Sequence, residues 1–189
     1  MIYIVSGFMR TGTSAMMAAL IAGGMQAEWS EKRDKIAENC ADKHYHPNPK
    51  GLYEINLSEY NELNFPLAYQ NKLIKVMVWG LNNLSVNTEG YRIILMKRDK
   101  EEIRQSYEAF FGRSLNMPWF TTYEERMIQT AKSLHNRKDV ESVNIIEYRD
   151  LINNPDSIFF DLINNGWNID SEKAESIIET LEIQAFFAA

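Results

Sequence analysis

The residues best suited to chemistry form a short loop near the start of the sequence. Residues 7–14 read Gly-Phe-Met-Arg-Thr-Gly-Thr-Ser, with four residues between the two glycines and two hydroxyl residues after the second. Glycines at this spacing let a loop fold around an anion with its backbone N–H groups pointing inward. A helix that begins at the loop adds positive potential, and Arg10 adds a cation. The pattern predicts a binding site for a phosphate or a similar anion.

Such a loop needs a strand before it and a helix after it. Residues 2–5 are an apolar run typical of a buried parallel strand, and residues 14–21 have good helix propensity. Further strands are predicted at residues 73–78, 92–96 and 143–148, and further helices at residues 100–111, 123–136, 155–164 and 171–183. This alternation predicts an α/β fold, a three-layer sandwich with a mainly parallel sheet. We expect a single domain over residues 1–189 with an irregular insertion at about 28–66.

Composition and charge exclude several classes of function. The chain has 189 residues, of which 45% are hydrophobic, as expected of a globular protein. Its net charge of −6 argues against a nucleic-acid-binding protein. There is neither an apolar run long enough to cross a membrane nor a recognisable secretion signal. From the charge and the lack of a long apolar run we expect a protein that binds neither nucleic acid nor membranes. Because Cys40 is the only cysteine, we also expect a cytoplasmic protein without an intrachain disulfide.

The loop has the spacing of a P-loop, with one difference. Thr13 stands where the lysine that contacts the β- and γ-phosphates of a nucleoside triphosphate is normally found. Asp99, which follows an apolar run, comes directly after two cations and is poorly placed to bind magnesium. The sequence therefore argues against ordinary ATP or GTP hydrolysis. A P-loop kinase and a non-catalytic nucleotide-binding protein remain as alternatives.

A second candidate anion site follows the strand predicted at residues 92–96. Arg98 closes that strand, and a strand-end arginine offers a fork of donors to a phosphate. Ser106 lies eight residues later, about two helical turns on, where it would add a hydroxyl if the helix folds back over the edge of the sheet.

Together these motifs resemble those of sulfotransferases that use 3′-phosphoadenosine 5′-phosphosulfate (PAPS). Residues 8–14 are similar to the family's 5′-phosphosulfate loop, and Arg98 with Ser106 resembles its Arg-x7-Ser element for the 3′-phosphate. Residues 147–155 resemble the family's Tyr-Glu-Asp-Leu segment with its downstream proline. Residues 48–54 are similar to an Asn-Pro-x-Gly-x-x-Glu stretch of many bacterial members. The four motifs occur in the family's order.

The resemblance implies a fold like that of P-loop nucleoside triphosphatases and transfer of a sulfuryl group from PAPS. The acceptor would be a hydroxyl or an amine of a small molecule or carbohydrate, the product adenosine 3′,5′-bisphosphate, and no metal would be required. Arg10 would stabilise charge at the bridging oxygen. The implied cofactor-binding residues are Arg10, Thr11, Gly12, Thr13 and Ser14 at the 5′-phosphate, Arg98 and Ser106 at the 3′-phosphate, and Tyr148 at adenine.

The general base is predicted from the same resemblance. Glu54 is the first candidate, since the matching stretch places a carboxylate near the acceptor. It would need a pKa raised by burial or by a neighbouring acid to act near neutral pH. His44 and His46 are alternatives with a suitable intrinsic pKa.

The sequence also departs from the family's pattern. Ala15 stands where the cytosolic branch often has a tryptophan that stacks on adenine. No lysine or arginine follows Lys173, so the C-terminal Arg-Lys-Gly element has no counterpart. Residues 73–79 contain no histidine, although Lys75 is a further candidate to line the phosphosulfate pocket.

Overall fold

The structure, a computed structural model, describes residues 1–31, 35, 53, 55, 66–116 and 118–187. Most of the predicted insertion at about 28–66 lies outside these residues. The candidate bases Glu54, His44 and His46 lie outside them as well.

Four parallel strands form the sheet in the described part of the chain. They are β1 (Ile2–Gly7), β2 (Leu73–Met77), β3 (Tyr91–Lys97) and β4 (Val140–Glu147), in the order β2-β1-β3-β4. Every neighbouring pair is parallel, so the predicted strands and their parallel arrangement are confirmed. Ile4 of β1 lies between Ile74 of β2 and Ile93 of β3. The two central strands, β1 and β3, are almost wholly apolar because helices cover both of their faces.

Helices account for most of the remaining described residues. They are α1 (Thr13–Ala22), α2 (Lys100–Phe111), α3 (Tyr123–His135), α4 (Tyr148–Asn153), α5 (Pro155–Asn164) and α6 (Ser171–Phe187). Short 3-10 turns lie at Leu67–Tyr69, Val78–Asn83 and Pro118–Phe120. All but α4 match predicted helices within a few residues.

Helix α4 corrects one predicted boundary. The sequence favoured a strand over residues 143–148, but β4 ends at Glu147, and Tyr148 is the first residue of α4. Tyrosine is a common strand residue, so it extended the apolar pattern of β4 by one position. The chain turns into a helix there and buries Leu151 completely.

Alternating strand residues supply the two apolar cores of the fold. On one face, Ile4 and Ile93 belong to a cluster that includes Ile103 of α2 and Met127 of α3. On the other face, Val5 and its neighbours contact helices α1, α4, α5 and α6. The fold is therefore α/β with helices on both sides of a parallel sheet. None of the helices in the described ranges is long and apolar enough to span a membrane.

The topology leaves a crevice between the ends of β1 and β3. These strands are neighbours, yet the chain after β1 leads to α1 on one face, and the chain after β3 leads to α2 on the opposite face. Connections that part in this way open a crevice at the carboxyl ends of the strands, where α/β proteins bind ligands. Residues 8–12 and Arg98 lie at this point.

Candidate functional site

The loop between β1 and α1 is closed tightly on itself. A Cβ atom on Gly7 would lie 2.5 Å from Oγ1 of Thr11 and 2.9 Å from the carbonyl oxygen of Met96, so the strand end needs glycine. The hydroxyl of the fully buried Thr11 donates to the carbonyl of Phe8 at 2.8 Å. That hydroxyl therefore stabilises the closed shape of the loop.

Two residues of the loop have left-handed backbone conformations. Gly12 has φ 92°, which glycine adopts readily, whereas Arg10 has φ 66°, which is strained for a residue with a side chain. Such strain persists when the surroundings hold the backbone in place. Here Nη1 of Arg98 donates to the carbonyl of Arg10 at 3.1 Å, so the segment after β3 holds the loop after β1 in shape.

The N-terminus of α1 is better suited to an anion than that of α2. Among the described residues, no side chain caps α1, which begins after Gly12 and has no acidic residue in its first turn. By contrast, the Asp99 carboxylate caps α2 and accepts from the N–H groups of Glu101 and Glu102 at 2.9 and 3.1 Å. The positive end of the α1 dipole therefore faces the loop, and no carboxylate in the first turn of α1 offsets its charge.

The structure brings Arg10 together with the second predicted anion element. Nε of Arg10 donates to the hydroxyl of Ser106 at 3.1 Å, and its guanidinium lies 4.6 Å from the centre of the Phe110 ring. Arg98 reaches the same loop through the Arg10 carbonyl. Residues far apart in the sequence thus form one cationic cluster.

Tyr148 connects the glycine loop to Arg98. The Arg98 guanidinium lies 4.2 Å from the centre of the Tyr148 ring, in a cation–π contact. A Cβ atom on Gly12 would lie only 2.3 Å from Cδ2 of the same ring. Tyr148, predicted to contact adenine, therefore packs directly against both Gly12 and Arg98.

Lys75 brings a further cation to the start of α1. Lys75 is 6% exposed as a residue, and its Nζ donates to the Ser14 hydroxyl at 3.1 Å. Strand β2 thus supplies a lysine beside the first turn of α1, although the loop itself has Thr13 in the lysine position of a P-loop.

Sequence reasoning missed Glu102. One of its carboxylate oxygens accepts from Nε of Arg98 at 2.9 Å, and the other accepts from Nε of Arg149 at 2.6 Å. Partial burial opposes its ionisation, but the hydrogen bonds from both arginines outweigh this and lower its pKa. The four-residue spacing from Arg98 to Glu102, typical of helical ion pairs, was the available signal.

One stripe of α2 therefore lines the cluster. Glu102, Ser106 and Phe110 are spaced by four residues, so they share a face of the helix. Glu102 contacts Arg98, and Ser106 contacts Arg10. This face of α2 therefore contacts both arginines of the cluster.

A shallow depression of about 310 Å³ lies beside Arg98. It is lined by Lys97, Arg98, Asp99, Glu124, Glu147, Arg149 and Asp150. Four of these side chains are acidic and three are basic, so an anion would be held here only at the basic side chains, which include Arg98 and Arg149. In the described ranges, no group of three or more His, Cys, Asp or Glu side chains is placed to hold a metal ion.

The lowered pKa of Glu102 predicts how this cluster responds to acid. Ionised Glu102 stabilises the fold at pH values above its ordinary pKa of 4.5, and this contribution disappears as the pH falls through its lower folded-state pKa. We expect Glu102→Gln to destabilise the protein in urea unfolding at about pH 7 and to destabilise it less at about pH 3. An unchanged difference in the free energy of unfolding at the two pH values would contradict this role.

No protein-family model matches the chain, and no curated protein is significantly similar to it. A functional assignment therefore depends on the site itself.

Proposed function

We propose that this protein is a sulfotransferase that transfers a sulfuryl group from PAPS to a hydroxyl or amine of a small-molecule or carbohydrate acceptor. The observation that carries the proposal is the contact of Arg10 with both anion elements. Its backbone belongs to the glycine loop, its side chain reaches Ser106, and its carbonyl accepts from Arg98.

This arrangement suits a nucleotide with phosphates on two positions of one ribose. The 5′-phosphate would lie in the loop, at the N-terminus of α1 and close to Lys75. The 3′-phosphate would lie against Arg98 and Ser106, on the other side of Arg10. A nucleoside triphosphate carries its phosphates in one chain, so it has no group for the second element.

The chemistry required is an in-line displacement at sulfur. The bond between sulfur and the bridging phosphate oxygen breaks, a bond from the acceptor oxygen or nitrogen to sulfur forms, and a base takes the acceptor's proton. Negative charge then develops on the 5′-phosphate that leaves as adenosine 3′,5′-bisphosphate. Arg10, Lys75 and the N–H groups of Thr13 and Ser14 are the groups that would stabilise this charge.

The base of this reaction is proposed from the sequence alone. Glu54 would accept the acceptor's proton, with His44 or His46 as alternatives, and all three lie outside the described residues. The neighbouring Tyr53 and Ile55 are described and buried, and they belong to two different apolar clusters.

Nucleotide selectivity tests the proposal. Calorimetric titration should give adenosine 3′,5′-bisphosphate an affinity at least about tenfold above that of 5′-AMP, because the second phosphate adds charge-assisted hydrogen bonds. The bisphosphate should also bind more tightly than ATP with Mg²⁺, and chelating the metal should leave its affinity unchanged.

Two results would contradict the proposal. Equal affinity for the bisphosphate and 5′-AMP would mean that Arg98 and Ser106 do not form a phosphate site. Preference for ATP with Mg²⁺ would favour a P-loop kinase instead.

A further inference from the structure

We infer that Arg149, which no motif assigns, is a second guanidinium of the 3′-phosphate site and helps to select nucleotides that carry this phosphate. The inference rests on the proposed function, since it concerns a residue of the same site.

Arg98 alone is poorly equipped to attract a phosphate. Its Nε is already paired with the ionised carboxylate of Glu102 at 2.9 Å, so the two side chains together carry no net charge. Burying a phosphate dianion beside a neutral pair would leave its charge uncompensated, which is costly.

Arg149 restores the positive charge. It donates to the second oxygen of the same carboxylate, so Glu102 holds the two guanidinium groups on either side of it. The three side chains together then carry one positive charge, to which Arg10 adds a second from the loop. Arg149 also follows Tyr148 directly, and the Tyr148 ring lies against Arg98.

Two of the neighbouring carboxylates have other partners. Asp99 caps α2, and Glu147 pairs with Lys97 at 2.7 Å. Glu102 contacts both Arg98 and Arg149. The Arg149 side chain is 70% exposed, so it can reach a ligand phosphate without leaving a buried position.

The alternative is that Arg149 forms only a surface ion pair with Glu102. The two roles predict a different dependence on the nucleotide. In a surface ion pair, loss of Arg149 changes only the charge near the site, so it weakens binding of the bisphosphate and of 5′-AMP to a similar, small extent. If Arg149 binds the 3′-phosphate, its loss weakens binding of the bisphosphate selectively.

The test measures calorimetric affinities for adenosine 3′,5′-bisphosphate and 5′-AMP in the wild-type protein and two variants. Arg149→Ala should weaken binding of the bisphosphate by about tenfold and leave 5′-AMP nearly unchanged. Arg104→Ala is the matched control, because Arg104 lies on α2 and pairs with Glu101 and Glu108 instead.

The outcomes separate this inference from the proposed function. If the wild type prefers the bisphosphate and Arg149→Ala keeps the full preference, the inference is wrong and the proposed function stands. Equal weakening of bisphosphate and 5′-AMP binding by Arg149→Ala would also overturn it, in favour of a simple ion pair. A wild type without preference for the bisphosphate would overturn both. Circular dichroism of each variant should establish that the fold is intact.

Discussion

Replacing Arg98 with alanine is expected to weaken binding of adenosine 3′,5′-bisphosphate by about a hundredfold or more. The substitution removes the guanidinium proposed to hold the 3′-phosphate. It also removes the hydrogen bond to the Arg10 carbonyl, which holds that residue in its left-handed conformation, and the contact with the Tyr148 ring. Binding of 5′-AMP should fall far less. Calorimetric titration of the variant with both nucleotides measures the effect.

Arg137→Ala is the matched control for Arg98→Ala. The side chains of Arg98 and Arg137 are 20% and 22% exposed, and each combines an ion pair with a hydrogen bond to backbone. Arg137 pairs with Asp139 at the opposite end of the sheet. Its loss should therefore reduce stability without changing nucleotide affinity. Equal loss of affinity in both variants would mean that general destabilisation explains the Arg98 result.

Arg98→Lys separates charge from geometry. A lysine keeps the positive charge, but it cannot donate to the Glu102 carboxylate and the Arg10 carbonyl through a planar fork while stacking on the Tyr148 ring. We therefore expect little recovery of bisphosphate affinity. Full recovery would show that the site needs only a nearby charge.

The strands and most helices of this fold could be predicted because their local patterns agree with their final environment. The central strands are apolar on both faces, as burial between two helical layers requires. Helix α2 has a capping aspartate at its start and glycine after its end, so its bounds match the prediction. Helix α4 was missed because its six residues follow β4 without a turn, and Tyr148 suits either structure.

The candidate site was predictable only in part. Spacing alone placed the loop at the start of α1 and Arg98 at the end of β3, since such positions follow from the order of strands and helices. The Arg10–Ser106 and Arg98–Tyr148 contacts depend on which strands are neighbours, and no local pattern encodes that order. Glu102 and Arg149 are ordinary surface residues in the sequence, and they become relevant only because α2 and α4 meet beside Arg98.

The second large effect is expected for Gly12→Ala, which should destabilise the protein by about 2–4 kcal/mol and abolish measurable bisphosphate binding. Alanine is strained at φ 92°, and its Cβ would overlap the Tyr148 ring, whose Cδ2 would lie 2.3 Å away. To accept the methyl group, the ring must move, and Arg98 stacks on that ring. Urea unfolding and calorimetry on the same preparation measure the two losses together.

Gly24→Ala and Tyr148→Ala divide this effect into its causes. Gly24 has φ 99°, and a methyl group there would meet no atom within 4 Å, so alanine adds backbone strain alone, about 1–2 kcal/mol, and leaves binding intact. In a Tyr148→Ala background, Gly12→Ala should likewise cost only the backbone strain, because the overlapping ring is gone. If Gly12→Ala lowers the free energy of unfolding as much in the Tyr148→Ala background as in the wild type, Gly12 is needed for the conformation of the loop and not for its contact with Tyr148. The coupling energy between Gly12 and Tyr148 thus measures how strongly the glycine loop is held against the ring on which Arg98 stacks.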